Sequence, residues 1–331
     1  MSESSAALPH GISVVVPVYN SASTIETLTD RIAPVLQGIG RPFELILVND
    51  GSSDDSWNAI VRCSGSRPWL RGIRLTRNYG QHNALLCGVR AARYDTIATL
   101  DDDLQYDPDE IPKLLAELDR DYDVVYGKET KRHHSRGHNV SSWLLRFGLS
   151  VALGAKVARI VSPLRVFRTR LRDSFAENRS PWVILDVFLC WGTTRFAVVP
   201  VRHHARADGT LTTHSVRKRL NQAFDLITGF STLPLKAASL VGFFFTLFGF
   251  GLLVYVLGVF FLVGGTVPGW VFLASTIALF SGAQMFALGI IGEYLARMFN
   301  RVMEKPAYAI DEQTASVTPA TSPGHSEPAD S

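Results

Sequence analysis

The chain has 331 residues, 47% of them hydrophobic and 19% charged, with a formal net charge of +3 and a mean hydropathy of +0.12. That length holds one sizeable α/β domain plus something smaller. The small net charge, with no basic–aromatic motif, argues against nucleic acid as a partner. Cys63, Cys87 and Cys190 are widely spaced in no metal-ligand pattern and read as buried, reduced thiols of a cytosolic domain.

Residues 1–10 have no basic start and no apolar core, so they read as a tail, not a signal peptide, and leave the first domain in the cytoplasm. Residues 12–20 form an apolar run that reads as a buried parallel strand ending in a loop. A helix is expected over 24–37, then a second strand over 43–48 that ends in Asn49-Asp50-Gly51-Ser52-Ser53-Asp54. A short strand over 70–75 leads into Thr76-Arg77-Asn78-Tyr79-Gly80, a helix follows over 84–93, and a strand over 96–100 delivers Asp101-Asp102-Asp103. Asp107 and Pro108 open a helix over 111–118, and 123–126 is a further strand. This alternation implies a doubly wound sheet that binds ligands at the carboxyl ends of its strands.

The acidic cluster stands at such an end. Like charges held this close repel unless a cation joins them, and hard oxygen ligands suit Mg²⁺ or Mn²⁺ shared with substrate phosphates. Other strand ends carry residues a nucleotide needs. Tyr19 can cover a ring, Asp50 can accept from a uracil or guanine imide, Gly51 lets backbone approach, and Arg77 can meet a phosphate.

From residue 128 to 146 the chain is basic and His-rich, which suits anionic lipid or lipid phosphate, or simply a solvated face. Ser162-Pro163-Leu164-Arg165-Val166-Phe167-Arg168 reads as a strand with alternating basic residues. Residues 182–191 read as core, and a strand over 197–201 leads towards Arg206. Arg165, Arg168 and Arg206 are candidates to hold a phosphate. Residues 216–236 have a basic start and apolar residues at helical spacing, as in amphipathic interfacial helices. No charged residue occurs from 237 to 292, and the glycine-rich break after 263 leaves two stretches, 237–263 and 270–292, each long enough at about 20 residues to span a bilayer. Basic residues flank this hairpin outside and none lies in its loop, so both termini are expected in the cytoplasm. Residues 294–331 are expected to be a cytosolic and largely disordered tail.

Val16-Pro17-Val18-Tyr19-Asn20, Asn49-Asp50-Gly51-Ser52-Ser53-Asp54, Arg77-Asn78-Tyr79-Gly80 and Leu100-Asp101-Asp102-Asp103-Leu104-Gln105 resemble, in order, the motifs of the family-2 inverting glycosyltransferases. Within that family the chain is similar to the polyprenyl-phosphate glycosyltransferases, among them dolichol-phosphate mannose synthase and bacterial undecaprenyl-phosphate sugar transferases. The segments Ser231-Thr232-Leu233-Pro234-Leu235 and Gly289-Ile290-Ile291-Gly292-Glu293-Tyr294 match the bacterial membrane-bound members, and the likeness runs over residues 12–308.

The resemblance implies a GT-A type nucleotide-sugar-binding domain over 11–215, followed by the interfacial helices and the transmembrane hairpin. It puts Pro17, Tyr19 and Asp50 at the nucleobase, with Asn20, Gly51 and Arg77 in the same nucleotide-sugar site. Asp101, Asp103 and Gln105 would hold the metal and diphosphate, Asp102 would lie nearer the ribose or sugar, and Arg206 would grip a phosphate. Catalysis is expected from Asp102, Asp103, Arg206 and Arg165. The chain departs from the family twice: Ser162-Pro163-Leu164-Arg165 lacks an acidic residue many relatives carry, and Gly209-Thr210-Leu211-Thr212-Thr213-His214 lacks the family lysine.

The implied activity is sugar transfer from a nucleotide diphosphate sugar, UDP before GDP, to polyprenyl (undecaprenyl) phosphate. It would occur at the cytoplasmic face of the cell membrane and make a lipid-linked donor for envelope glycans. A GDP-mannose-dependent mannose synthase and a processive polysaccharide synthase are alternatives of the same fold, though two spans are few for a channel. A non-catalytic membrane scaffold is the rival from another class, and it has no use for clustered carboxylates. Homo-oligomer formation stays open.

Overall fold

The computed structural model describes residues 8–129, 150, 153, 157–176, 178, 180, 183–202, 232–263, 269–303 and 305–314. The chain divides into two units, one of residues 1–136, 159–213 and 306–331, the other of residues 137–158 and 214–305.

The first unit is built on β1 (Ile12–Val18), whose seven residues are all buried. It lies between β2 (Phe43–Asn49) and β4 (Thr96–Thr99), and β2 carries β3 (Leu70–Leu75) on its far side; all four strands are parallel. The sheet continues beyond β4 through β6 (Arg165–Arg168), antiparallel to it, then β5 (Val124–Glu129) and β7 (Phe196–Val201). An eighth strand, β8 (Ile310–Gln313), closes the other edge, giving the order β7-β5-β6-β4-β1-β2-β3-β8.

Side chains alternate along a strand, so each sheet face has its own cover. Val14, Val16, Leu45 and Leu47 meet α1 (Ile25–Ile39), α2 (Ser56–Ser66) and α4 (Ile111–Leu118) in one hydrophobic core. Val15, on the opposite face, meets α3 (Gln81–Ala91), where a Cβ on Gly88 would stand 2.3 Å from its Cγ1. Only glycine allows so close a helix–strand approach. A last helix of this unit, α5, covers Leu185–Gly192.

Most expected elements are present, and the differences are instructive. No helix is expected between residues 55 and 69, yet α2 forms there by burying Trp57, Ile60 and Cys63, three residues apart along one face. Asp107 caps the next helical turn as expected, its carboxylate accepting from the Asp109 N–H at 3.2 Å. The disordered tail is corrected over residues 311–314: charged Asp311 and Glu312 gave no strand signal, but they lie on an exposed edge where polar side chains suffice. The run 130–149, the Gly209–His214 segment and the amphipathic stretch up to residue 231 lie outside the described residues.

In the second unit α6 (Leu233–Val263) and α7 (Trp270–Val302) are longer than the charge-free stretches suggested. Residues 233–236 belong to α6, not to a separate interfacial helix, and α7 continues ten residues past Gly292. Pro234–Leu252 and Leu279–Ala296 are long and apolar enough to cross a membrane. Phe245 and Phe248 pack on Phe280 of the partner helix, with ring centroids 5.6 and 6.4 Å apart.

Candidate active site

Because β1, β2 and β4 are parallel neighbours, their carboxyl ends finish together. The cavity there, about 250 Å³, is lined by Pro17 and Val18 at the end of β1, Tyr19 just after it, Asp50 after β2, and Asn78, Gly80 and Gln81 where α3 begins. Asp101, Asp102 and Asp103 after β4 complete the wall.

Asp50 is only 3% exposed, and its two oxygens accept the N–H groups of Tyr79 (2.7 Å) and Gly80 (2.8 Å). Burial pushes its carboxyl above the ordinary value, against the two N–H bonds. Gly51 has φ +63°, and a Cβ there would stand 2.3 Å from the Arg77 carbonyl carbon and 2.5 Å from the Asn78 nitrogen. The close approach expected of a ligand is therefore made by the chain's own 77–78 backbone. Tyr19 is half exposed and lines the cavity.

The three aspartates differ in their surroundings. Asp102 accepts the Ser21 hydroxyl at 2.5 Å and the Tyr19 N–H at 3.2 Å, while burial raises its carboxyl. Asp101 accepts the Gln81 amide at 2.6 Å. Asp103 accepts the Gln105 N–H at 3.1 Å across Leu104, a left-handed residue at φ +57°, so the backbone turns back on the carboxylate and fixes it. Gln105 thus reaches the cluster through its backbone and is not among the cavity-lining residues. Among the described residues no three His, Cys, Asp or Glu side chains are grouped to hold a metal by themselves.

Other expected residues stand elsewhere. Asn20 joins two loops, accepting the Ser53 N–H at 2.9 Å, and Arg77 is exposed with its guanidinium 4.6 Å from the Tyr79 ring centroid. The Tyr79 hydroxyl meets Thr76 at 3.0 Å. Hydrogen bonding to Thr76, with lesser help from Arg77 and the Ala309 backbone, holds this phenol below its ordinary range. Arg206 lies outside the described residues.

Arg165 and Arg168 require correction as acceptor-facing residues. Arg165 is 2% exposed; its guanidinium pairs with buried Asp186 and donates to the Thr99 hydroxyl at 2.9 Å. Tyr126 also donates to Asp186, so the pair is an internal network. Arg168 faces Thr96 across the ladder, at the end of β4 away from the cavity, and binds Asp119 at 3.2 Å. Sequence reasoning missed Ser21, Gln81 and Asp186. Gln81 directly follows the Tyr79-Gly80 pair, which marks the true start of α3 three residues before the apolar run begins.

The model of the glycosyl transferase family 2 domain matches residues 13–177. An undecaprenyl-phosphate 4-deoxy-4-formamido-L-arabinose transferase of Yersinia enterocolitica is 34% identical over 310 residues, 91% of this chain and 93% of the relative. A transferase of the same description from Pectobacterium carotovorum is 31% identical over 94% of this chain and 95% of its own length. The chain belongs to glycosyl transferase family 2. This glycosyltransferase is related along nearly its whole length to undecaprenyl-phosphate sugar transferases, and its mixed α/β sheet is the GT-A type fold the motifs implied. Among solved structures, a Mycobacterium tuberculosis glucosyl-3-phosphoglycerate synthase matches 66% of this glycosyltransferase and 79% of that chain, at 20% identity and a TM-score of 0.49.

Proposed function

We propose that this glycosyltransferase moves a sugar from a UDP-sugar to undecaprenyl phosphate at the cytoplasmic face of the membrane, anchored by α6 and α7. The observation that carries the reading is that Asp101 and Asp103 line the same cavity as Tyr19 and Asp50. A base covered by Tyr19 would give its imide N–H to Asp50. Each oxygen of Asp50 already accepts one backbone N–H, which suits the single imide donor of uracil better than the paired donors of guanine.

The donor set of carboxylate oxygens fits a divalent cation. Asp101 and Asp103 would hold Mg²⁺ or Mn²⁺ together with diphosphate oxygens, and such an ion neutralises the charge that develops on the leaving diphosphate. Asp102, held by Ser21 and the Tyr19 N–H, would orient the ribose or sugar. The acceptor phosphate is already an anion near neutral pH, so transfer rests on positioning more than on a base. Asp186 offers no base, since Arg165 and Tyr126 occupy it. Arg206 is the candidate grip on the acceptor phosphate. Supporting the acceptor assignment are the relatives' descriptions and the two long apolar helices.

The test incubates the purified chain with a panel of UDP- and GDP-sugars and undecaprenyl phosphate, with and without EDTA, and analyses the lipid by mass spectrometry. A sugar-phospholipid formed from a UDP-sugar and abolished by EDTA is expected. Lipid product only from GDP-sugars would favour the mannose-synthase reading, and full activity in EDTA would remove the metal.

A further inference from the structure

β3 ends where the donor pocket begins, since Leu75 is followed within five residues by Asn78 and Gly80 of the cavity wall. The outer edge of β3 is covered by β8, with Ile73 facing Gln313, Arg74 facing Glu312 and Leu75 facing Ile310. The bonding runs past the ladder at both ends. Thr76 donates its N–H to the Ala309 carbonyl at 3.0 Å, and Thr314 bonds Gly72 through its N–H and its hydroxyl. Side chains fasten the same strip: Trp57 donates to Glu312 at 3.0 Å and Arg74 pairs with Asp311 at 2.5 Å. Ala307 is buried, and the Tyr308 ring centroid lies 5.8 Å from the guanidinium of Arg90, on the helix that Gly80 opens.

Exposed ion pairs alone would hold such a strip weakly. The backbone bond to Thr76 carries more meaning, because it fixes the last residue before the 77–80 loop. On its other side that loop is held by Asp50 through the Tyr79 and Gly80 N–H groups, and the Tyr79 hydroxyl returns to Thr76. The loop is therefore clamped between the nucleobase carboxylate and the C-terminal strip.

We propose that residues 307–314 are a strap that positions the 76–80 loop for nucleotide binding, so that the C-terminal segment serves donor recognition without touching the donor. The inference rests on the reading of this pocket as the donor site.

To test it, one chain is ended after Thr314 and another after Lys305, and each is measured for UDP and GDP binding with Mn²⁺ and for kcat and KM with the nucleotide sugar. The shorter chain should lose about tenfold in nucleotide affinity and gain about tenfold in KM, with kcat within about twofold. Tyr79→Phe should raise KM about threefold in the longer chain and change nothing in the shorter one, because groups acting through one another are not additive. Equal nucleotide affinity in the two chains, or additive effects, would overturn the strap. Should the shorter chain fail to fold, Tyr79→Phe in the full chain decides: a raised KM at unchanged kcat and melting temperature supports the strap, and an unchanged KM overturns it. If the Thr314-ended chain binds neither UDP nor GDP, the donor-site reading falls and takes the strap with it.

Discussion

After β4, three carboxylates follow one another along the wall of an open cavity, while on the adjacent strand β6 the guanidinium of Arg165 is almost wholly buried against a carboxylate of its own. Arg168, Arg170 and Arg195 are matched as well, by Asp119 or Asp123, although these three guanidinium groups are partly exposed. Asp123 is held well below the usual carboxylate range, chiefly by its bonds from Arg195. Charges of one sign gathered on a cavity wall repel, a repulsion that a bound cation relieves, whereas a charge buried against its opposite is spent on the fold. Acidic clustering at a strand end is thus a statement about ligands, and a lone arginine on a strand is not.

Five variants sharpen or break that contrast. Asp103→Asn should cut turnover by about a thousandfold while leaving the thermal melt unchanged, since it removes a hard ligand from an exposed wall and nothing from the core. A melt that falls as far as the rate would erase the distinction. Arg165→Ala should do the reverse, costing about 3 kcal/mol of stability by leaving Asp186 buried and unpaired. Replacing the pair together, Arg165→Met with Asp186→Leu, should recover most of it in chemical denaturation.

Arg206→Lys asks whether the acceptor side has an arginine of the outward-looking kind. A loss of about tenfold in transfer, with nucleotide binding unchanged, is expected if a planar fork holds the phosphate. Near-normal transfer would place Arg206 with the structural arginines.

The smallest effect concerns Asp50, whose carboxyl is raised by burial. Accepting an imide N–H requires the ionised form, so KM for the nucleotide sugar should rise a few-fold (about threefold) as pH falls through this raised pKa. Asp50→Asn should flatten that acid limb. Folding has the opposite sign: the raised pKa contributes stability below the ordinary aspartate value, and that stability is lost as pH rises through the folded-state pKa.

Much of the cavity wall was legible because its signals are local. Pro17, Tyr19, Asp50 and the three aspartates each come at or just after the end of an apolar run, and parallel strands must finish side by side, so placing the strands places the residues. Gly51 was legible as a close approach but not as an approach by residues 77–78, since that contact joins loops 26 positions apart. The surroundings of Arg165 were hidden for a related reason. Whether Arg165 looks outward depends on Asp186, 21 residues away on α5, and no spacing along the chain announces that meeting. β8 was hidden for both reasons, being short, acidic and paired with a strand more than 230 residues earlier.

That last pairing sets a timetable for biosynthesis. A chain emerging from the ribosome completes β1 to β4 early, yet β3 keeps a bare edge until the two long apolar helices have been made and residues 310–313 follow. An uncovered strand edge is a template for pairing with other chains, and contacts between distant segments form slowly. The α/β unit therefore reaches its finished sheet only after both apolar helices have been made, and a nascent chain stalled before Ile310 would be prone to edge-to-edge aggregation.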